Sequence, residues 1–310
     1  MVKTVVILGA GWAGLPLAHK LLKYTLPKAK DDLKVFLVSP NSHFYWNLAA
    51  QLFLPIGPSF AQYSVKNFEF VLGKAKRLDP ETNTVETLSA LHSLQEQIQV
   101  AKSIVIAGAG LTGVETAGEL AYVYGGEKDI TLIISGERAL QASHILSGVS
   151  QVVEKDLQKL GVKLVRNAQV KDAQTKTKEE KDAAVQTTLT LSNGSTIVTE
   201  LYLPLFGVQV NTSFVPASLL DSAGNLVLDK AMRVVGTENV WGIGDVGNLE
   251  TKQVTRTDAQ IVHLSAALDH VLLEVTGEVK EYKPSGKTMI FITMGKKHAT
   301  GQIGGWKLWG

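Results

Sequence analysis

Apolar positions along this chain fall mainly into short solid runs and helical stripes, which take turns. Residues 3–8 (KTVVIL) form a nearly continuous apolar run of the kind a strand buried on both faces needs. Helical spacing follows over 15–24, and 33–39 (LKVFLVS) repeats the strand pattern. Residues 68–78 read as a strand and 79–83 (DPETN) as a turn. Leu88, Leu91, Leu94 and Ile98 mark an amphipathic helix over 85–100. A strand then starts at Ser103, a helix runs from Gly113 to about Tyr124, and a strand covers 129–134. The helix predicted over 149–160 stops at Gly161, a position suited to a left-handed C-terminal glycine. Strand 162–165 follows, and the charged stretch 171–182 is expected to be a solvated loop or hairpin tip. Asn193-Gly194 between 187–191 and 195–203 signals a hairpin, and 201–207 (LYLPLFG) a strand ending on a glycine. Beyond lie a short apolar strand leading to Gly244-Asp245, a helix over 258–275, a strand over 288–293 and the tail 301–310. This alternation of strand and helix predicts an α/β protein with parallel sheets.

Two of the strand-to-helix junctions carry the same glycine pattern. Gly9-Ala10-Gly11-Trp12-Ala13-Gly14 joins the first strand to the first helix, and SIVIAGAGLTG brings Gly108, Gly110 and Gly113 to the second. In such a G-x-G-x-x-G turn the first glycine makes the bend, the second lets backbone approach a pyrophosphate, and the third lets helix pack on strand. The helix start then offers unpaired N–H groups to phosphate. The strand after each junction should end in a group that holds a ribose hydroxyl. At the first this position is Ser39, with Asn41 two residues on; neither equals a bidentate carboxylate. At the second it is Glu137-Arg138, where Glu137 suits a ribose and Arg138 a 2′-phosphate, so NADH and NADPH both stay open. Residues 43–47 (HFYWN) lie just past the first of these strands and read either as a cofactor-pocket lining or as a buried aromatic loop. Asp245 reads either as a helix cap or as an acceptor for polyol or ribose hydroxyls.

Composition narrows the chemistry. The 310 residues are 45% hydrophobic and 19% charged, with 28 glycines, enough for a large core and more than one domain. A net charge of +2 without a basic cluster argues against a nucleic-acid partner. The absence of cysteine excludes disulfides, cysteine-ligated metals and a redox-active dithiol. If the protein moves electrons, a bound cofactor must carry them. No histidine falls in a triad or metal pattern, and no metal site is expected. Without a leader or an apolar run long enough to span a bilayer, the expected address is cytoplasmic. The tail with Trp306 and Trp309 reads as a peripheral membrane contact, as core packing, or as an artificial chain end.

GAGWAG, GAGLTGVETAGEL and NVWGIGDVGN, in this order, resemble the two-dinucleotide-binding-domain flavoproteins. Among these the chain looks most like the apoptosis-inducing-factor-like, mitochondrion-associated NAD(P)H oxidoreductases, which are similar to type II NADH dehydrogenases. The resemblance implies two Rossmann-like domains, with an NAD(P)H domain (101–230) inserted into a discontinuous FAD domain (1–100 and 231–310). It implies FAD contacts from Gly9, Ala10, Gly11, Trp12, Ala13, Gly14, Ser39, Asn47, Ala75, Gly244 and Asp245. NAD(P)H contacts would come from Gly108, Gly110, Leu111, Thr112, Gly113, Glu115, Glu137, Arg138 and Gly207. Glu115 matches an acidic position beside the nicotinamide, although a carboxylate near a helix start is also favoured by the helix dipole.

The chain departs from the family at several points. No Ala-Thr-Gly-like strand end lies between 85 and 103, where several dozen residues are missing relative to the family. No arginine follows residues 43–47 until Arg77. The expected Thr-Gly near the end of the inserted domain is Phe206-Gly207, and the chain stops at Gly310 where relatives continue. The implied activity is FAD-dependent electron transfer from NAD(P)H to a quinone-like or other small acceptor. The alternatives are a catalytically impaired or regulatory protein that has lost part of its FAD site, and a flavin monooxygenase of specialised metabolism.

Overall fold

The computed structural model describes residues 2–30, 32–46, 52–73, 94, 96–176, 186–207, 210–277, 279–284, 286 and 288–308. Two compact units divide the chain: Met1–Ala90 with Gln209–Ser285, and Leu91–Val208 with Gly286–Gly310. The helices are α1 (Gly14–Lys20, continued by a π-helical turn Leu21–Thr25), α2 (Leu111–Tyr124), α3 (Ser147–Lys159) and α4 (Val254–Leu272).

In the first unit, β1 (Lys3–Leu8), β2 (Leu33–Ser39) and β5 (Phe68–Leu72) form a parallel sheet in the order β1-β2-β5, with Lys3 opposite Leu33 and Leu8 opposite Val38. Every second residue of β2 is buried, as a pleated strand against a core requires. Leu17, Ala18, Leu21 and Leu22 of the first helix pack against Leu33, Val35 and Leu37 and against Leu264 and Leu268 of α4. Each large aliphatic buried this way contributes about 1.5–3 kcal/mol. Of residues 43–47, read as a cofactor-pocket lining or as a buried aromatic loop, His43–Trp46 is a strand, β3, paired antiparallel with β4 (Leu52–Pro55). The strand expected over 68–78 ends at Leu72, before Gly73; residues 74–78, the turn at 79–83 and Asn47 lie outside the described residues, and Ala75 with them. Of the helix expected over 85–100, residues 94 and 96–100 are described and helical.

In the second unit, β6 (Ser103–Ala107), β7 (Asp129–Ile133), β8 (Lys163–Val165) and β12 (Leu201–Pro204) form a parallel sheet in the order β12-β6-β7-β8. Ile104, Ile106 and Leu132 face Val114 and Ala117 of α2 and Val149, Val153 and Leu157 of α3 in one core. An antiparallel sheet of β9 (Val170–Lys176), β10 (Gln186–Leu191) and β11 (Thr196–Thr199) covers the other face. Two expectations change here. The stretch expected as a loop from 171 is strand β9 as far as Lys176, because it pairs with β10. The strand expected over 195–203 is split at Glu200, with β11 paired to β10 and β12 to β6.

The expected domain limits also shift. Residues 286–310 belong to the second unit: β13 (Met289–Thr293), β14 (Ala299–Ile303) and β15 (Trp306–Leu308) form an antiparallel sheet, and Ile290, Ile292 and Met294 enter the core of α2 and α3. Residues 210–230 join the first unit, where Leu226 and Leu228 cluster with Val234. Trp306 is exposed, so core packing does not account for it. The helix expected over 258–275 starts at Val254 and ends at Leu272. Among the described residues no helix is long and apolar enough to cross a membrane.

Candidate nucleotide-binding sites

The glycines of the first turn have three different surroundings. Gly9 sits at φ +105°, a conformation L side chains rarely adopt, and its N–H donates to Val38 O at 2.8 Å. A Cβ on Gly11 would meet no atom of the described residues within 4 Å, so the backbone is open to a ligand there. A Cβ on Gly14 would collide with the carbonyl oxygen of Gly9, which is why helix can pack on strand only without a side chain. Ala10 is buried beneath the turn. Trp12 approaches Phe44, with ring centroids 6.0 Å apart. Together with Leu15, Pro16, His19, Leu54 and Ser59 these rings line an apolar pocket of about 300 Å³. Phe44 therefore joins a pocket beside the turn rather than a sealed loop.

The second turn repeats the arrangement. Gly108 is at φ +108° and its N–H donates to Ile133 O at 3.1 Å; Gly110 is open; a Cβ on Gly113 would collide with the carbonyl of Gly108. Helix α2 starts here with Leu111 and the exposed Thr112, and Gly110 caps it without a side chain. Gly108 is further constrained by the end of β12: its Cβ would overlap Leu205 backbone and lie 3.2 Å from Phe206 Cβ. That contact brings Phe206-Gly207, with Gly207 at φ +71°, to this turn. Glu137 and Arg138, past the end of β7, are exposed and make no hydrogen bond with the described residues. Both turns thus fit a dinucleotide, with open backbone where a pyrophosphate must approach.

Ser39 is buried at the carboxyl end of β2, and its Oγ accepts the Asn41 N–H at 3.2 Å. Its hydroxyl keeps a donor for a ribose, but no carboxylate stands at this position. Gly244 (φ +72°) lies against the first turn, since its Cβ would be 3.2 Å from that of Ala13. Asp245 follows in a single 3₁₀ turn, Gly244–Val246, exposed and without a hydrogen bond among the described residues. It caps no α-helix: Gln253 begins α4. The strand expected before it is reduced to one isolated bridge, Arg233 with Trp241.

Glu115 is half-buried on α2, and its carboxylate accepts the Thr293 N–H at 3.4 Å; Glu119, one turn on, accepts the Gly295 N–H at 3.0 Å. Burial pushes the Glu115 carboxyl up, the Thr293 hydrogen bond opposes this, and the Glu119 charge adds to it; the net shift is upward. Sequence reasoning missed one cluster. Glu250 accepts from Arg256 at 2.7 Å, from Gln260 at 2.9 Å and from the Tyr282 hydroxyl, while Gln260 accepts the Gly244 N–H at 2.8 Å. The available signal was polar residues, Thr257 and Gln260, on the inward stripe of an otherwise apolar helix face. Among the described residues no group of three acidic or histidine side chains could hold a metal.

Comparison with known proteins agrees with this geometry. The oxidoreductase ptaL of Pestalotiopsis fici is 36% identical over 356 aligned positions, covering 99% of this chain and 93% of that protein. The alignment is longer than the 310 residues here, so the relative carries segments this chain lacks. Ferroptosis suppressor protein 1 of Taeniopygia guttata is 26% identical, covering 97% of this chain and 89% of that protein. Among solved structures, the ferredoxin reductase for the CYP199A2 system from Rhodopseudomonas palustris superposes with a TM-score of 0.74 at 16% identity, over 96% of this chain and 81% of that one. A family model described as pyridine nucleotide-disulphide oxidoreductase matches residues 67–264. Proteins of this family bind FAD and NAD(P)H. With 64 percent of its length under that match and a relative above 30% identity, the chain belongs to the pyridine nucleotide-disulphide oxidoreductase family.

Proposed function

We propose that this chain is an FAD-dependent NAD(P)H oxidoreductase of the apoptosis-inducing-factor-like group, delivering electrons to a quinone-like or other small acceptor. The observation that carries the reading is the pair of glycine turns, one in each unit, with the same three glycine roles. In this reading the unit of Met1–Ala90 and Gln209–Ser285 is the FAD domain, and the other is the NAD(P)H domain. Gly9, Ala10, Gly11, Trp12, Ala13 and Gly14 cradle the ADP part of FAD, helped by Ser39, Asn47 and Ala75, while Asp245 accepts hydroxyls of the ribityl chain. Gly108, Gly110, Leu111, Thr112 and Gly113 bind the NAD(P)H pyrophosphate, and Gly207 lies beside them. Glu137 holds a ribose or Arg138 a 2′-phosphate, and Glu115 positions the nicotinamide. Bound flavin supplies the capacity to take hydride from NAD(P)H and release electrons to an acceptor. The side chains bind and orient the two reactants and are not themselves oxidised, consistent with a chain without cysteine. The quinone-like acceptor rests on the resemblance to type II NADH dehydrogenases.

The purified chain, reconstituted with FAD, is expected to absorb at roughly 450 nm. NADH or NADPH should bleach that band anaerobically, and a soluble quinone should restore it. A chain that retains no flavin after reconstitution would falsify this reading. Two observations favour a second reading, a protein that binds nicotinamide nucleotide but has lost part of its flavin site: Val6 and Leu8 of β1 are exposed, and ptaL carries segments absent here. Binding of NAD(P)H without flavin retention would select it.

A further inference from the structure

Helix α4 buries Gln260 on the same stripe as Ile261 and Leu264. Both ends of its amide are used: Nε2 donates to Glu250 Oε1 at 2.9 Å, and Oε1 accepts the backbone N–H of Gly244 at 2.8 Å. An ionised carboxylate only accepts, so Glu250 dictates that the amide turns its nitrogen inward and leaves its oxygen for Gly244. Glu250 is fixed in turn by Arg256 at 2.7 Å and by the Tyr282 hydroxyl, in an ion pair whose side chains are 11% and 5% exposed. Gly244 needs such a hold. Its left-handed φ of +72° is populated freely only by glycine, a residue with many alternative conformations, and it sits against Ala13 of the first glycine turn.

We infer that Gln260 is a positioning residue for the Gly244–Asp245 turn, with its amide direction set by Glu250, Arg256 and Tyr282. Held this way, the turn keeps Gly244 against Ala13 of the cradle before any ligand arrives, so that binding does not have to order the turn that carries the exposed Asp245. The inference rests on the reading of that cradle as an FAD site. Burial raises the Glu250 carboxyl, but the hydrogen bonds from Tyr282, Gln260 and Arg256 outweigh burial and hold it below its ordinary value, which keeps it an acceptor at neutral pH. No glycine fingerprint reports this arrangement, because Gln260 acts on a backbone N–H.

The test uses the full chain as wild type, Gln260→Met and Glu250→Gln, with two independent readouts. Hydrogen exchange at the Gly244 amide, without cofactor, reads the hold directly, and the Leu37 amide in the core of β2 serves as the fold control. Quenching of flavin fluorescence reads FAD affinity. Gln260→Met should speed Gly244 exchange and weaken FAD binding about tenfold each while Leu37 stays protected; Glu250→Gln, which also lowers the stability of the unit, should speed Gly244 exchange by more than it speeds Leu37 exchange. Unchanged Gly244 exchange in Gln260→Met overturns the inference whether or not flavin binds. Weakened FAD binding with an equal loss of Leu37 protection also overturns it, since Gln260 would then only support the fold. A wild-type chain that binds no FAD overturns the flavin reading alone, and the exchange result still decides the role of Gln260.

Discussion

Strands β1 and β6 enter their glycine turns with nearly the same sequence, VVIL before GAG and IVIA before GAG, and meet different fates. Ile7 and Ile106, at equivalent positions, are both buried. Their neighbours are not alike: Val6 is 57% exposed where Val105 is 2%, and Leu8 is 44% exposed where Ala107 is 3%. In the second unit that face lies under β9–β11, whose Leu189 and Leu191 cluster with Val105, Ala107 and Ile133. β6 also has strands on both sides, whereas β1 pairs with β2 alone among the described residues. Parallel sheets are normally covered on both faces. The glycine turn nonetheless has the same geometry in both units, because its three glycines lie within six residues of chain and the first of them bonds the neighbouring strand in the same way. Sheet coverage depends instead on remote segments, here β9–β11 in the second unit.

The largest expected effect falls on the first unit. Glu250→Leu takes the carboxylate away from Arg256, Gln260 and Tyr282 at once, and breaking a buried ion pair in this way costs about 3–5 kcal/mol. Exchange at the Leu37 amide should accelerate accordingly while Leu132 in β7 is unaffected; equal acceleration at both would deny that the two units are independent. The same residue sets an acid dependence. Its folded-state carboxyl lies below the ordinary value, so the stabilisation is complete above the unfolded-chain value and is lost as pH falls through the lower folded one. Protection at Leu37 should therefore decline in acid, and Glu250→Gln should lessen that decline; Asp221 and Glu274, also held below their ordinary values in this unit, account for the rest. Asp156 provides the contrast in the second unit. Burial raises its carboxyl, Lys159 and His298 outweigh burial, and the resulting acid dependence there should not respond to a change at Glu250.

Glycine substitutions probe what the two turns share. Gly14→Ala and Gly113→Ala each drive a methyl into a carbonyl oxygen, and each should destabilise its own unit by about 1–3 kcal/mol. Gly11→Ala and Gly110→Ala meet open space and should stay within about 0.5 kcal/mol of wild type. They should still weaken nucleotide binding about tenfold, because the methyl stands where pyrophosphate approaches. Titration of each variant with FAD and with NAD(P)H assigns a nucleotide to each turn. If Gly11→Ala weakened NAD(P)H and spared FAD, the proposed assignment of the two units would be reversed.

The parts that were legible in the sequence are the local ones. Both glycine turns and the strands feeding them follow from runs of apolar residues and from fixed glycine spacing. Parts made by distant pairing were not legible. β3 did not read as a strand because its strand character comes from pairing with β4, and β9 extends into a charged stretch because β10 supplies its hydrogen bonds. The tail was assigned to the wrong unit because only tertiary packing reveals that Ile290, Ile292 and Met294 enter the core of α2 and α3; Gly118 makes room, since a Cβ there would lie 2.5 Å from that of Met294. At the candidate site the glycines and Asp245 carry recognisable spacing. Gln260 does not, because its contact is with a backbone amide sixteen residues away.

The smallest expected effect addresses the bare face directly. Val6→Thr and Val105→Thr make the same chemical change at equivalent points of β1 and β6, exchanging a methyl for a hydroxyl. At Val105 the hydroxyl enters an apolar cluster, and burying it without a partner costs about 1–3 kcal/mol. At Val6 water satisfies it, so stability should change by less than about 0.5 kcal/mol. Threonine also removes apolar surface from a strand that among the described residues pairs on one side only, and an unpaired strand edge is the part of a sheet most prone to pair with another chain. Light scattering at rising protein concentration should therefore show less self-association for Val6→Thr than for wild type. A cost at Val6 equal to that at Val105 would mean that something covers β1 in solution, and the contrast between the two sheets would be lost.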